Sequence, residues 1–251
     1  MTRVIMHGCN GKMGQTITGL AKADESVEIV AGVDAVDDGH NAYPVYKALA
    51  DVDIEADVVI DFSTAVAIDN MLEACIAKNL PVVLCTTGLS DEQLAKVDEA
   101  SKKIAILRSA NMSLGINVLL KLLKEATAVF APAGFDIDIV EKHHNLKLDA
   151  PSGTAIALAD SINEELNGEY EYVYDRSTRR EKRPIKEIGI SAVRGGTIVG
   201  DHDVIYAGPD EVITFSHRAY SKGVFGKGAI EAAKFLAGQA AGMYDMSDVI
   251  G

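Results

Sequence analysis

The chain has 251 residues, 48% of them hydrophobic, and carries 24 basic against 37 acidic residues for a formal net charge of −13. That length builds a sizeable core in one large domain or two small ones. Its charge is repelled by phosphate backbones and anionic lipid, which argues against nucleic acid and membrane surfaces as partners.

Cys9, Cys75 and Cys85 are odd in number and widely spaced, so neither a disulfide framework nor a zinc site is expected. With no signal-peptide pattern in residues 1–6 and no apolar run near ~20 residues, the expectation is a soluble cytoplasmic protein.

Residues 3–6 form a short apolar strand that runs into a glycine-rich turn at 8–14. A helix over 13–22 follows, with Met13, Ile17 and Leu20 on one face. A second strand at 28–33 ends at Asp34. A buried strand is predicted over 56–62, a helix over 64–78, a strand over 80–85, a helix over 91–102 and a strand over 104–107. Short buried strands alternating with helices imply a parallel sheet with right-handed crossovers.

The pattern changes after about residue 112. A long helix over 115–130 carries an apolar stripe of Leu119, Leu122, Leu123, Ala126 and Val129. Phe135, Ile137 and Ile139 alternate with Asp136 and Asp138, as in a half-exposed strand. A basic stretch at 175–186 reads as a mobile loop, strands follow at 188–193, 198–206 and 212–217, and a helix over 226–239 comes near the end. The fold class is therefore α/β: an N-terminal Rossmann-type parallel-sheet domain plus a C-terminal α+β domain with an open mixed sheet. The first domain is expected over 1–113, with 222–251 returning to it, and the second over 114–221.

Gly8-Cys9-Asn10-Gly11-Lys12-Met13-Gly14 lies between a strand and a helix with the spacing G-x-x-G-x-x-G. Glycines serve the tight turn, the close approach of backbone to a pyrophosphate and the packing of helix on strand. The helix N-terminus offers free N–H groups and a positive dipole. Asp34, twenty positions after Gly14, is placed to accept from both ribose hydroxyls of a dinucleotide. The run Ala35-Val36-Asp37-Asp38 supplies no arginine for a 2′-phosphate, which favours NADH; Lys12 partly offsets this, so both NADH and NADPH are expected with NADH preferred. Ligands sit outside the carboxyl ends of parallel strands, which brings in Cys85-Thr86-Thr87-Gly88 and Ser109-Ala110-Asn111-Met112. Ordinary turn and cap chemistry explains those two stretches equally well.

The densest polar cluster is residues 141–154, with His143, His144 and Lys147 ahead of Pro151-Ser152-Gly153-Thr154 at a predicted helix start. The N–H groups of Ser152, Gly153 and Thr154, the two hydroxyls and Lys147 make a cradle for a carboxylate in an otherwise acidic chain. If the strand continues, His143, Asn145 and Lys147 face one way and His144 the other, so one histidine and the lysine would meet the same ligand. A histidine is a competent proton donor near neutral pH; a structural pair is the alternative. Metal binding is not expected, because adjacent strand histidines diverge and no third ligand is near.

Several stretches, GCNGKMG at the start, CTTG at 85–88, SANMSLGIN at 109–117, EKHHNLKLDAPSGTA at 141–155 and VRGGTIVGDH at 193–202, together with the ending MYDMSDVI, resemble the 4-hydroxy-tetrahydrodipicolinate reductase (dihydrodipicolinate reductase) family in order along nearly the whole chain. The resemblance implies reduction of a cyclic dicarboxylate by a nicotinamide hydride in diaminopimelate and lysine synthesis. By match to the motif, His143 is the general acid and Lys147 a second proton donor and carboxylate ligand. His144, Ser152, Gly153 and Thr154 fall on the substrate side. Gly8, Cys9, Asn10, Gly11, Lys12, Met13, Asp34, Cys85, Thr86, Thr87, Ser109, Ala110, Asn111 and Met112 fall on the cofactor side. It further implies a homotetramer assembled through the second domain's sheet, and lobes that close around the ligands.

Two positions depart from the family pattern. Cys85 stands where many members have glycine, and Ala35 where some have arginine, which weakens the case for strong NADPH use. A homoserine dehydrogenase-like enzyme would share the glycine loop without the histidine cluster. An NADH-sensing regulator would need a basic DNA-binding segment, and only residues 176–186 offer one.

Overall fold

The computed structural model describes residues 1–37, 39–109 and 111–251. In chain order the elements are β1 (Thr2–His7), α1 (Lys12–Ala21), β2 (Val27–Val33), β3 (Val45–Tyr46), β4 (Val58–Asp61), α2 (Ile68–Lys78), β5 (Val82–Leu84), α3 (Asp91–Ser101), β6 (Ala105–Leu107) and α4 (Leu114–Phe130). Then come β7 (Asp136–His143), α5 (Gly153–Glu165), β8 (Glu171–Val173), β9 (Glu187–Arg194), β10 (Gly200–Ala207), β11 (Val212–Ala219), α6 (Gly223–Leu236), β12 (Gly242–Tyr244) and α7 (Met246–Ile250). The chain divides into two compact units, Met1–Leu114 with Lys222–Gly251, and Gly115–Ser221.

The first unit holds a seven-stranded sheet in the order β12-β6-β5-β4-β1-β2-β3, and its registers are parallel throughout. Successive strand residues point to opposite faces, and both faces are covered. Val4, Met6, Val58, Ile60, Val83 and Leu107 pack with Ile17 of α1 and Ala229, Ala233 and Leu236 of α6. Ile5, Val59, Val82, Leu84 and Ile106 pack with Met71, Leu72 and Val97 of α2 and α3. This two-sided burial explains the uninterrupted apolar runs of the central strands.

The second unit is an open five-stranded mixed sheet, β11-β10-β7-β9-β8. β7 pairs antiparallel with β10 and parallel with β9. Ile137, Ile139, Ile188, Ile190, Val204 and Tyr206 meet Leu119, Leu123, Leu158 and Ile162 of α4 and α5 in its core.

Two sequence expectations need correction and others completion. The stripe on α4 is rotated: Leu122 and Val129 are 44% and 64% exposed, whereas Ile116, Leu119, Leu123 and Thr127 are buried. Thr127 sits on the core face because its hydroxyl is satisfied there by Leu123 O at 2.6 Å and Tyr206 OH at 2.7 Å. The basic stretch 175–186 is a loop without helix or strand, as expected, and its arginines tie it to the sheet. Arg176 and Arg179 pair with the buried Glu187, and Arg183 pairs with Asp138 and donates to Ile137 O and Glu187 O. β7 ends at His143, and Lys147 N–H donates to His144 O in a turn, so strand alternation does not extend to Asn145 and Lys147. The short β3, β8 and β12 and helix α7 were not anticipated; runs of two to five residues carry too little periodicity to read.

Candidate active site

In the first unit, β1 delivers the chain into the glycine loop at the carboxyl end of the sheet, the side on which ligands bind in such folds. Gly8 has φ +80°, and a Cβ there would lie 2.5 Å from Phe62 O; a Cβ on Gly14 would lie 2.3 Å from Gly8 O. Both positions therefore demand glycine, one for its backbone conformation and one for close packing. The loop is braced from outside. Asn10 N–H donates to Asp34 Oδ2 at 2.9 Å, Gln15 Nε2 to Cys9 O at 2.9 Å, and Asn41 Nδ2 to Asn10 Oδ1 at 2.7 Å.

Gly8, Asn10, Gly11, Asp34 and Ala35 line a cavity of about 590 Å³ together with Lys47, Phe62, Ser63 and Thr64. Its size and its mixture of backbone donors, one carboxylate and one ammonium suit a dinucleotide half. Thr86 lies just past β5 with a buried hydroxyl that has no partner among the described residues, an orphaned polar atom at the strand end where such a ligand would sit. Ser109 Oγ donates to Asn111 O at 3.2 Å and Ser113 N–H to Asn111 Oδ1 at 2.8 Å; Met112 is buried. Ala110 and Asp38 lie outside the described residues. Lys47 lines this cavity with Asp34, whereas the exposed Lys12 is not among its lining residues, so the cation beside Asp34 is not the one expected. Lys47 escapes a sequence reading because the two-residue strand that places it beside β2 is too short to detect.

At the carboxyl ends of β1 and β4, His7 Nδ1 meets buried Asp61 Oδ1 at 2.7 Å, and the Ser63 hydroxyl donates to the same oxygen at 2.6 Å. His7 and Asp61 are register partners in adjacent strands, a long-range pairing invisible in sequence.

In the second unit, β7 presents Glu141 and His143 two residues apart and so on one face. Glu141 is fully buried. Its Oε2 accepts from His143 Nδ1 at 2.6 Å and Arg194 Nη1 at 2.7 Å; its Oε1 accepts from Arg194 Nη2 at 2.7 Å and Ser152 N–H at 3.0 Å. Burial pushes this carboxyl up, but Arg194, His143 and the Ser152 N–H together outweigh burial and leave it below its ordinary value. An ionised carboxylate only accepts, so the imidazole donates from Nδ1. His143 Nε2 has no hydrogen bond among the described residues, and a Cβ on Gly200 would stand 3.0 Å from it.

Ser152 caps α5 by accepting from Ala155 N–H at 3.1 Å, and its hydroxyl also bonds His202 Nε2 at 3.0 Å. At 2% exposure, and with its N–H given to Glu141, Ser152 builds the site from behind. Burial, then the neighbouring His143 charge, pushes His202 down to about 4. Lys147 Nζ bonds Asp149 at 2.8 Å and holds that carboxyl below its usual range. His144 is half-buried, and its Nδ1 has no partner among the described residues. No group of three or more metal-ligating side chains occurs among the described residues, and no helix described is long and apolar enough to cross a membrane.

The roles of Glu141, Arg194 and His202 were not read from sequence. The Glu-x-His spacing on a strand was a usable signal for Glu141. Arg194 comes from β9, where it is the register partner of His143, and nothing local announces it.

Comparison with known proteins agrees along the whole length. The family described as "Dihydrodipicolinate reductase, N-terminus" matches residues 2–112, and "Dihydrodipicolinate reductase, C-terminus" matches 115–250. A 4-hydroxy-tetrahydrodipicolinate reductase from Caldanaerobacter subterraneus subsp. tengcongensis is 59% identical over 250 residues, covering 100% of this chain and 98% of the relative. One of the same name from Clostridium tetani is 48% identical over 246 residues, covering 98% and 96%. Among solved structures, a dipicolinate-bound dihydrodipicolinate reductase from Paenisporosarcina sp. TG-14 superposes with a TM-score of 0.81 at 26% identity, with 100% of both chains covered.

Proposed function

The chain belongs to the dihydrodipicolinate reductase family and is a nicotinamide-dependent oxidoreductase, and we propose that His143 supplies the proton of its reaction while Lys147 holds a substrate carboxylate. The reaction passes a hydride from NAD(P)H to the cyclic dicarboxylate 4-hydroxy-tetrahydrodipicolinate and yields tetrahydrodipicolinate, on the route to diaminopimelate and lysine. The observation that carries the assignment of His143 is its pairing with an ionised, buried Glu141. That pairing occupies Nδ1 and leaves Nε2 as the nitrogen able to give a proton.

Bound nicotinamide supplies the hydride. Around it, the glycine loop lets the pyrophosphate approach the start of α1, where the N–H groups of Lys12 and Met13 take it, and Asp34 takes the ribose hydroxyls. Cys85, Thr86 and Thr87, with Ser109, Asn111 and Met112, border the rest of the cofactor. Asp34 repels a 2′-phosphate, so NADH is preferred; Lys12 and Lys47 are the cations that let NADPH be used as well. A carboxylate of the substrate is received at the start of α5 by Gly153 and Thr154, with Lys147 adding charge and His144 a further polar contact. In this reading the second unit binds the substrate and also carries the subunit contacts of a homotetramer, and the enzyme works in the cytoplasm.

The test is oxidation of NADH, followed by its near-ultraviolet absorbance, with substrate generated in place from pyruvate and aspartate semialdehyde. Turnover is expected with both cofactors and is faster at limiting NADH than at limiting NADPH. No turnover with either would end this reading.

A further inference from the structure

We propose that Glu141 is the positioning residue of the proton donor: clamped by Arg194 and the Ser152 N–H, its carboxylate keeps the Nδ1 proton of His143 and so commits Nε2 to the substrate. This rests on His143 being the donor.

Glu141 has no capacity left for a ligand. It is fully buried, and its two oxygens accept four hydrogen bonds, two from Arg194, one from Ser152 and one from His143. A carboxylate removed from water is costly unless fully paired, and here the pairing is complete. Arg194 is itself tied down, with Nη2 donating to Asp149 O at 2.6 Å and Nη1 to Val193 O at 2.8 Å. The fork geometry of arginine fixes both carboxylate oxygens in one plane, which leaves the ring of His143 one place to donate. The edge of that ring stands against His202, with centroids 5.2 Å apart at 75°. His202 in turn bonds the Ser152 hydroxyl, so the imidazole is held from two sides.

The proton balance follows. The ring begins protonated on both nitrogens. Once hydride has reached the substrate, the Nε2–H bond breaks and its proton goes to the substrate atom that gained the electron pair. The ring is left neutral, with its proton still on Nδ1 and donated to Glu141, and the carboxylate stays ionised throughout. Without Glu141 the doubly protonated ring loses its anionic partner, and a neutral ring with its one proton on Nε2 could give it up only by becoming an imidazolate, so it is a poor donor.

Glu141→Gln keeps the size of the side chain but presents an amide that can donate to Nδ1. Nitrogen-15 spectra of histidine-labelled enzyme are expected to show His143 protonated at Nδ1 in the parent and at Nε2 in the variant. Turnover should fall by about 100-fold or more, with NADH affinity, read by cofactor fluorescence, within about twofold of the parent. Glu141→Asp should restore the Nδ1 signal and part of kcat. Parental kcat in Glu141→Gln, or a parent spectrum with Nδ1 unprotonated, would overturn the proposal. His143→Ala separates it from the reading beneath it. An inactive His143→Ala beside a fully active Glu141→Gln removes only Glu141, whereas a fully active His143→Ala removes the donor itself. If Glu141→Gln does not fold, Arg194→Lys, which loses the fork, should cost at least about tenfold in kcat; parental kcat there would also overturn the proposal.

Discussion

The carboxylate of Asp34 accepts a hydrogen bond from the main-chain N–H of Asn10 at 2.9 Å, tying the end of β2 to the glycine loop. Its other oxygen has no partner among the described residues, so one side chain braces the loop and, in the proposed reading, keeps an oxygen for the ribose. Asp34→Ala should weaken NADH binding by about tenfold while changing NADPH binding less, because lost ribose hydrogen bonds and relieved repulsion act in opposite directions on the phosphorylated cofactor. Titration by cofactor fluorescence decides it; an unchanged ratio of the two affinities would remove Asp34 as the discriminator.

Lys47 follows β3 and lines the same cavity as Asp34. Lys47→Gln should therefore lower NADPH affinity several-fold and leave NADH affinity nearly untouched, with the difference shrinking as salt is raised. Equal loss for both cofactors would place Lys47 on a shared part of the dinucleotide instead.

Gly14 tests the loop's packing. A Cβ would sit 2.3 Å from Gly8 O and 2.6 Å from Cys9 O, and backbone cannot yield as a side chain tip can. Gly14→Ala should cost about 2 kcal/mol or more, seen as a lowered thermal midpoint, and should weaken both cofactors together. A variant as stable as the parent would show that the loop can move aside.

His202 makes stability depend on pH. Its ordinary value of 6.5 falls to about 4 in the fold, from burial first and the His143 charge second. Between those values the unfolded chain binds the proton and the folded chain does not, so stability rises with pH across that window. The contribution is complete above about 6.5 and is lost as pH falls towards 4, on the order of 3 kcal/mol in all. Urea unfolding of the parent at pH 7 and pH 5 should show about 2 kcal/mol of this loss, and His202→Gln should show a smaller one. Equal losses in the two would assign the acid sensitivity elsewhere.

Much of this molecule was legible in its sequence because the signals are local. The glycine loop, Asp34 at the end of β2 and the Ser152 start of α5 each declare themselves within a few residues. The apolar runs of β1, β4 and β5 announce a sheet covered on both faces. What was missed depends on contacts between distant segments. Arg194 reaches Glu141 only because β9 lies beside β7, Lys47 reaches the cavity only because β3 joins the sheet edge, and Thr127 faces the core only because Tyr206 arrives to bond it. Leu122 and Val129 were misplaced because apolarity alone sets the face of a helix no better than one residue in either direction. Strand alternation failed beyond His143 because a turn begins there.

In the proposed mechanism His143 gives the proton that completes hydride transfer. Steady-state turnover of His143→Ala, with NADH binding measured on the same preparation, tests it most directly. A fall in kcat of about 10²–10⁴ is expected, with cofactor affinity unchanged. A variant that binds NADH normally and turns over at the parental rate would contradict it.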